Sequence, residues 1–137
     1  MAHRLALFAA ALWWGSLTAI GFMAVPLLFT HLPMPALAGN VAGRLFSAEA
    51  WMAMGCGVAL LLALKSKTAP GHALSAKTTI ILVALGLLMA LLGEFAVAPR
   101  IVARDNLRLW HSVGTVMYVV QWLCAAAVLW RLGRPDR

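Results

Sequence analysis

Leu5 to Phe29 is a run of 25 residues without a charged side chain, broken only by Ser16, Thr18 and small residues. Crossing the roughly 30 Å hydrocarbon core of a bilayer takes about 20 such residues in a helix. No water reaches the backbone there, so every N–H and C=O must bond within the segment. Apolar runs of similar length follow over residues 41–64, with Arg44 and Glu49, over 74–99, with Lys77 and Glu94, and over 109–130. The chain is 64% hydrophobic and 11% charged, against roughly 45–50% and about 25% for a soluble domain. A chain of 137 residues is too short to hide that excess in one interior. The expectation is an all-α integral membrane four-helix bundle, a single transmembrane domain over residues 1–137, with spans 5–29, 41–64, 74–99 and 109–130.

His3 and Arg4 precede the first run as in a signal peptide, and Ala36-Leu37-Ala38 resembles a cleavage site. A cleaved signal has an apolar core of only about 7–15 residues, so the helix is expected to be retained. Thr30–Asn40 is expected as a loop, punctuated by Pro33, Pro35 and Gly39. A second loop is expected over Lys65–Lys77 with a Pro70-Gly71 turn, and a short polar connector over Arg100–Arg108.

The net charge of +7 comes from residues flanking the runs, and no nucleic-acid motif or basic face accompanies it. With four spans, one side holds Arg4, Lys65, Lys67, Lys77, Arg131, Arg134 and Arg137. The other holds Arg44, Arg100, Arg104 and Arg108. The excess of Lys and Arg near cytoplasmic span ends then places both termini in the cytoplasm. The second set, hereafter the outer side, runs against that bias. Cys56 and Cys124 lie inside apolar runs and read as small buried residues.

Charge concentrates in Gly93–Ser112, which holds Glu94, Arg100, Arg104, Asp105, Arg108 and His111. In lipid, helices pack through small residues. The expected packing stripes are Gly39, Gly43, Ser47, Gly55, Ala59 and Ala63 in the second span, with Trp51 as the interruption, and Gly86, Ala90, Glu94 and Ala98 in the third. His111, Gly114, Thr115, Tyr118, Gln121 and Ala125 share one face of the fourth, and Glu49, Met52 and Cys56 one face of the second. Glu49 and Glu94 each fall about 8 Å inside the outer ends of their spans, with His111 close by, so the three are expected to form one polar layer under an arginine lid. Trp13 and Trp14, deep in the first span, are expected to fill a helix crossing.

Three roles remain open for that layer. A structural network would pair Glu49 and Glu94 with Arg44, Arg100, Arg108 or His111. A binding or transit site for a small solute or cation would use the carboxylates as countercharge, His111 as proton carrier, and Tyr118 and Gln121 as polar lining. A metal- or haem-binding redox site would draw on His111, Glu94 and Glu49, with Met52, Cys56 and Met117 as soft ligands for copper. No hydrolase, phosphate-loop or zincin motif is present, so catalysis is not the expectation. Association with further copies of the chain, or with other proteins of a membrane complex, is left open.

A faint repeat relates the halves. Phe22-Met23-Ala24-Val25-Pro26 is echoed by Phe95-Ala96-Val97-Ala98-Pro99, and Arg44-Leu45-Phe46-Ser47 by Arg108-Leu109-Trp110-His111-Ser112. Two duplicated helical hairpins would produce it.

Leu12-Trp13-Trp14-Gly15, Gly21-Phe22, Pro26-Leu27-Leu28-Phe29, Ala42-Gly43-Arg44-Leu45-Phe46 and Arg108-Leu109-Trp110-His111-Ser112 resemble a bacterial membrane family described as a domain of unknown function. That family is similar to the eukaryotic transmembrane protein 205, and more distantly reminiscent of copper-resistance D-type membrane proteins and four-helix protoporphyrinogen oxidases. The resemblance implies a four-helix protein of the bacterial inner membrane without assigned activity. Through the eukaryotic relative, linked to platinum-drug resistance, it hints at export or trafficking. Arg44, Arg108 and His111 are the positions that match the family pattern.

Overall fold

The computed structural model describes residues 1–65 and 73–134. The expected Pro70-Gly71 turn lies outside them. The described residues form four long helices and no strand. These are α1 (Ala2–His31), α2 (Pro35–Lys65), α3 (Ala76–Val102, continued backwards to Ala73) and α4 (Leu107–Leu132). Each is long and apolar enough to cross a membrane.

The helices outrun the apolar stretches that announce them. The first loop shrinks to residues 32–34, because Pro35 is tolerated at the start of a helix and nothing after it breaks the backbone ladder. Arg100 belongs to the last turn of α3, and the outer connector contracts to residues 103–106. Its geometry is a helix stop: the N–H of Asp105 bonds the Arg100 carbonyl and that of Arg104 the Ile101 carbonyl. Arg104 (φ 55°) takes the left-handed position usually given to glycine, and Asn106 (φ 42°) turns the chain into α4.

Neighbours in sequence are neighbours in space, and α4 closes the ring against α1. The core is a column of mostly small and medium side chains around the buried Trp13. It holds Ala6, Ala10, Trp13 and Leu17 from α1, Ala53, Cys56, Leu60 and Leu64 from α2, Val83 and Ala90 from α3, and Ala125 and Val128 from α4. Trp13 is fully buried and lies against Gly86 of α3, so it fills a helix crossing as expected. Trp14 stacks with Trp122 of α4 at 6.0 Å, and Phe22 meets Trp122 edge-on at 5.4 Å. Large apolar side chains such as Phe8, Leu12, Leu62 and Ile81 point outward. That arrangement suits a protein whose solvent is hydrocarbon.

The second span corrects one expectation. Gly39, Gly43, Gly55 and Ala59 face outward, and the three glycines have no neighbouring side chain within 4 Å of a would-be Cβ. The packed face of α2 is Ala38, Ala42, Glu49, Ala53, Cys56 and Leu60. Trp51 explains the rotation. It sits on the glycine stripe, is too large for a close crossing, and stands 61% exposed against Phe95.

Two π-helical turns interrupt the ladder, at Ala19–Ala24 in α1 and Gly93–Val97 in α3. Each ends just before a proline, Pro26 and Pro99. Proline has no N–H to give the carbonyl four residues back, and its ring collides with that carbonyl. The chain widens by one residue instead: Val25 N–H bonds Ile20 and Ala98 N–H bonds Gly93, both five residues back. The repeat seen in the sequence thus recurs as the same local distortion in both hairpins.

Candidate functional site

Glu49 is 2% exposed and faces the α1–α2 seam. Ser16 is the hydroxyl beside it, 3.5 Å from Oε1, but Ser16 already donates to the Trp13 carbonyl at 2.9 Å. A serine has one proton to give, and 3.5 Å is at the limit of a hydrogen bond, so Glu49 gains little from it. Cys56 lies on the same buried face of α2, about two turns further along. Glu94 is half-buried in the α2–α3 seam, inside the π-turn, where Ser47 Oγ donates to its Oε1. Among the described residues neither carboxyl group is ion-paired with a Lys, Arg or His.

The two acids occupy different seams at nearly one height. Ser47 and Glu49 are two residues apart on α2, about 3 Å along the axis but on opposed faces. Tyr118 joins the layer from α4. Its ring meets Phe46 edge-on at 5.2 Å, and its hydroxyl donates to the Leu17 carbonyl at 2.7 Å. A side chain at Gly21 would overlap the ring. Tyr118 is thereby wedged into the α1 ladder where the π-turn begins. One turn inward, Gln121 is 3% exposed and its Nε2 finds no partner.

His111 stands apart. It is exposed and lies two helical turns, about 10 Å, outward of Tyr118. Arg44, Arg100 and Arg108 are exposed as well. Arg100 stacks on the Trp110 ring at 4.3 Å rather than reaching Glu94. Glu49 and Gln121 are therefore buried in the bundle, Glu94 and Tyr118 are half-buried at its seams, and His111 and the arginines stand exposed at its outer end. Thr115 is exposed with His111, so the polar face expected for α4 holds only from Gly114 inward. Of the proposed metal ligands, Cys56 is buried and Met52 is exposed. Among the described residues no three His, Cys, Asp or Glu side chains converge on a metal position.

Sequence reasoning passed over Ser16 and Ser47 as partners. Both are hydroxyls inside apolar runs, and the signal was there: each could reach an acid on the neighbouring span. It also passed over Thr18, which accepts from Trp122 Nε1 at 2.9 Å while donating to the Trp14 carbonyl at 2.7 Å.

Four lipid-length helices around an acidic layer define a multi-pass membrane protein with ionisable groups in its interior. The chain belongs to the family described as a domain of unknown function, DUF4149, whose model matches residues 8–109. No curated protein and no solved structure matches it.

Proposed function

We propose that this protein binds or moves a small solute or cation across the inner membrane of a bacterium, at the layer formed by Glu49, Glu94 and Tyr118. One observation carries the reading: Glu49 is buried among apolar helices with no cation beside it and only a marginal hydroxyl contact. A charged carboxylate in that setting costs several kcal/mol, on the order of 2.5–3.5 on insertion scales. It needs a proton or a cation, and intramembrane acids of this kind mark ion and substrate paths. A purely structural network would place an arginine or histidine against it, and the outer-end residues Arg44, Arg100, Arg108 and His111 are all exposed and make no ion pair with it. Both termini face the cytoplasm in this reading, so the acidic layer lies in the outer half of the bundle.

The test is uptake by purified protein in sealed proteoliposomes, offered protons, Na⁺, K⁺ and Mg²⁺ in turn, with thermal stability in detergent measured for the same panel. Wild-type protein is expected to respond to one of them, and Glu49→Gln to lose that response while remaining folded. A Glu49→Gln protein that keeps the full wild-type response would refute the proposal.

A further inference from the structure

The outer end of the α3–α4 hairpin carries an excess of positive charge, three arginines against the single Asp105, and no ion pair among the described residues involves them. Arg100 ends α3, Arg104 sits in the turn, and Arg108 opens α4; all three are exposed. Asp105 is the one acid between Glu94 and the end of the described residues, and no ion pair joins it to any of the three. His111 is exposed on the next turn of α4. Apart from Arg44, the other Lys and Arg residues flank the opposite ends of the spans, so this concentration breaks the sidedness they follow and a purely topological origin explains it poorly.

Two features fix the height and posture of the cluster. The arginines stand where apolar α3 and α4 run out, the level at which lipid headgroups begin. Arg100 lies over the half-buried Trp110 ring at 4.3 Å. Tryptophan settles at that level, and the stacked guanidinium is held there with its edge N–H groups free to bond outward. Arginine presents a planar fork of donors that matches phosphate oxygens in pairs.

We infer that Arg100, Arg104 and Arg108 form a binding surface for the phosphodiester headgroup of an anionic phospholipid in the outer leaflet. Charge complementarity selects this occupant: three guanidinium groups at headgroup height, in excess over the one acid beside them, meet a surface that supplies phosphates at high local concentration. The inference is independent of the acidic layer, since Arg100 lies six residues, about 9 Å along the helix, outward of Glu94.

The experiment uses the full chain in nanodiscs of mixed phosphatidylglycerol and phosphatidylcholine, with the lipids retained after extraction counted by native mass spectrometry. Wild-type protein is expected to enrich phosphatidylglycerol, and the enrichment is expected to fall as salt is raised. Replacing Arg100, Arg104 and Arg108 together by Gln should reduce it by on the order of fivefold per arginine, while Arg134→Gln at the opposite end leaves the part lost in the triple variant untouched. Soluble glycerol phosphate should not displace the lipid. The inference is overturned by equal retention of both lipids on the wild type, by enrichment insensitive to salt, by full enrichment in the triple variant, or by displacement with glycerol phosphate, which would mark a site for a soluble phosphate. If the triple variant does not fold, the salt series on wild-type protein decides alone.

Discussion

Tyr118 shows how one side chain can hold a membrane helix out of its regular form. Its hydroxyl bonds the Leu17 carbonyl, and its ring fills the space left by the missing side chain of Gly21. Removing the hydroxyl leaves that carbonyl without its partner in a dry interior, so Tyr118→Phe is expected to lower stability by about 1–2 kcal/mol in a denaturant titration. Gly21→Ala should cost a similar amount, because the added methyl must displace the ring. Gly86 and Gly43 offer a sharper contrast. A methyl on Gly86 would meet the buried Trp13 ring, whereas one on Gly43 meets nothing. Gly86→Ala should therefore lower the unfolding midpoint clearly and Gly43→Ala leave it unchanged. Equal effects would mean that the outward face of α2 is covered by something absent from the isolated chain. For Glu49→Gln the expectation is unchanged or raised stability, since the amide removes a buried charge and keeps the shape.

At the scale of elements, the four spans were legible because hydrophobic length is a direct physical requirement of the bilayer. The inward face of α3 was legible too: Gly86, Ala90 and Glu94 point to neighbours as their spacing implies. The rotation of α2 was not. That helix has small residues on two faces, Gly39-Gly43-Gly55 on one and Ala38-Ala42-Ala53 on the other, and periodicity cannot choose between them. Trp51 decided it, by size. The π-turns were only half legible. The paired prolines Pro26 and Pro99 stood out as a repeat, but not the extra residue before each, which rotates everything beyond it by about 100°. His111 was misplaced for a related reason: it shares a stripe with Tyr118, yet a stripe says nothing about where the packed part of the bundle ends. The outer turn carries its own prediction. Arg104 holds a left-handed backbone that costs a non-glycine residue about 1–2 kcal/mol. Arg104→Gly should raise the unfolding midpoint in detergent, where no lipid headgroup is present to compensate; an unchanged or lower midpoint would show that the arginine side chain stabilises the turn itself.

As a whole molecule, the protein keeps its apolar bulk outward and its scarce polarity inward. The bundle holds one acid buried in the α1–α2 seam and one half-buried in the α2–α3 seam, a tyrosine wedged into α1, and a buried glutamine amide whose donor has no partner among the described residues. Helix association in lipid does not demand such groups; small residues and close contact suffice. Their presence at one height is the reason to look for a ligand there, and Glu49, the more deeply buried acid with the weaker partner, is where it would bind. Direct binding by equilibrium dialysis, comparing wild-type protein with Glu49→Gln for whichever cation or solute stabilises the wild type most, tests this without requiring transport. Saturable binding by the wild type and none by the variant is the predicted result. The same binding curve for both proteins would contradict it.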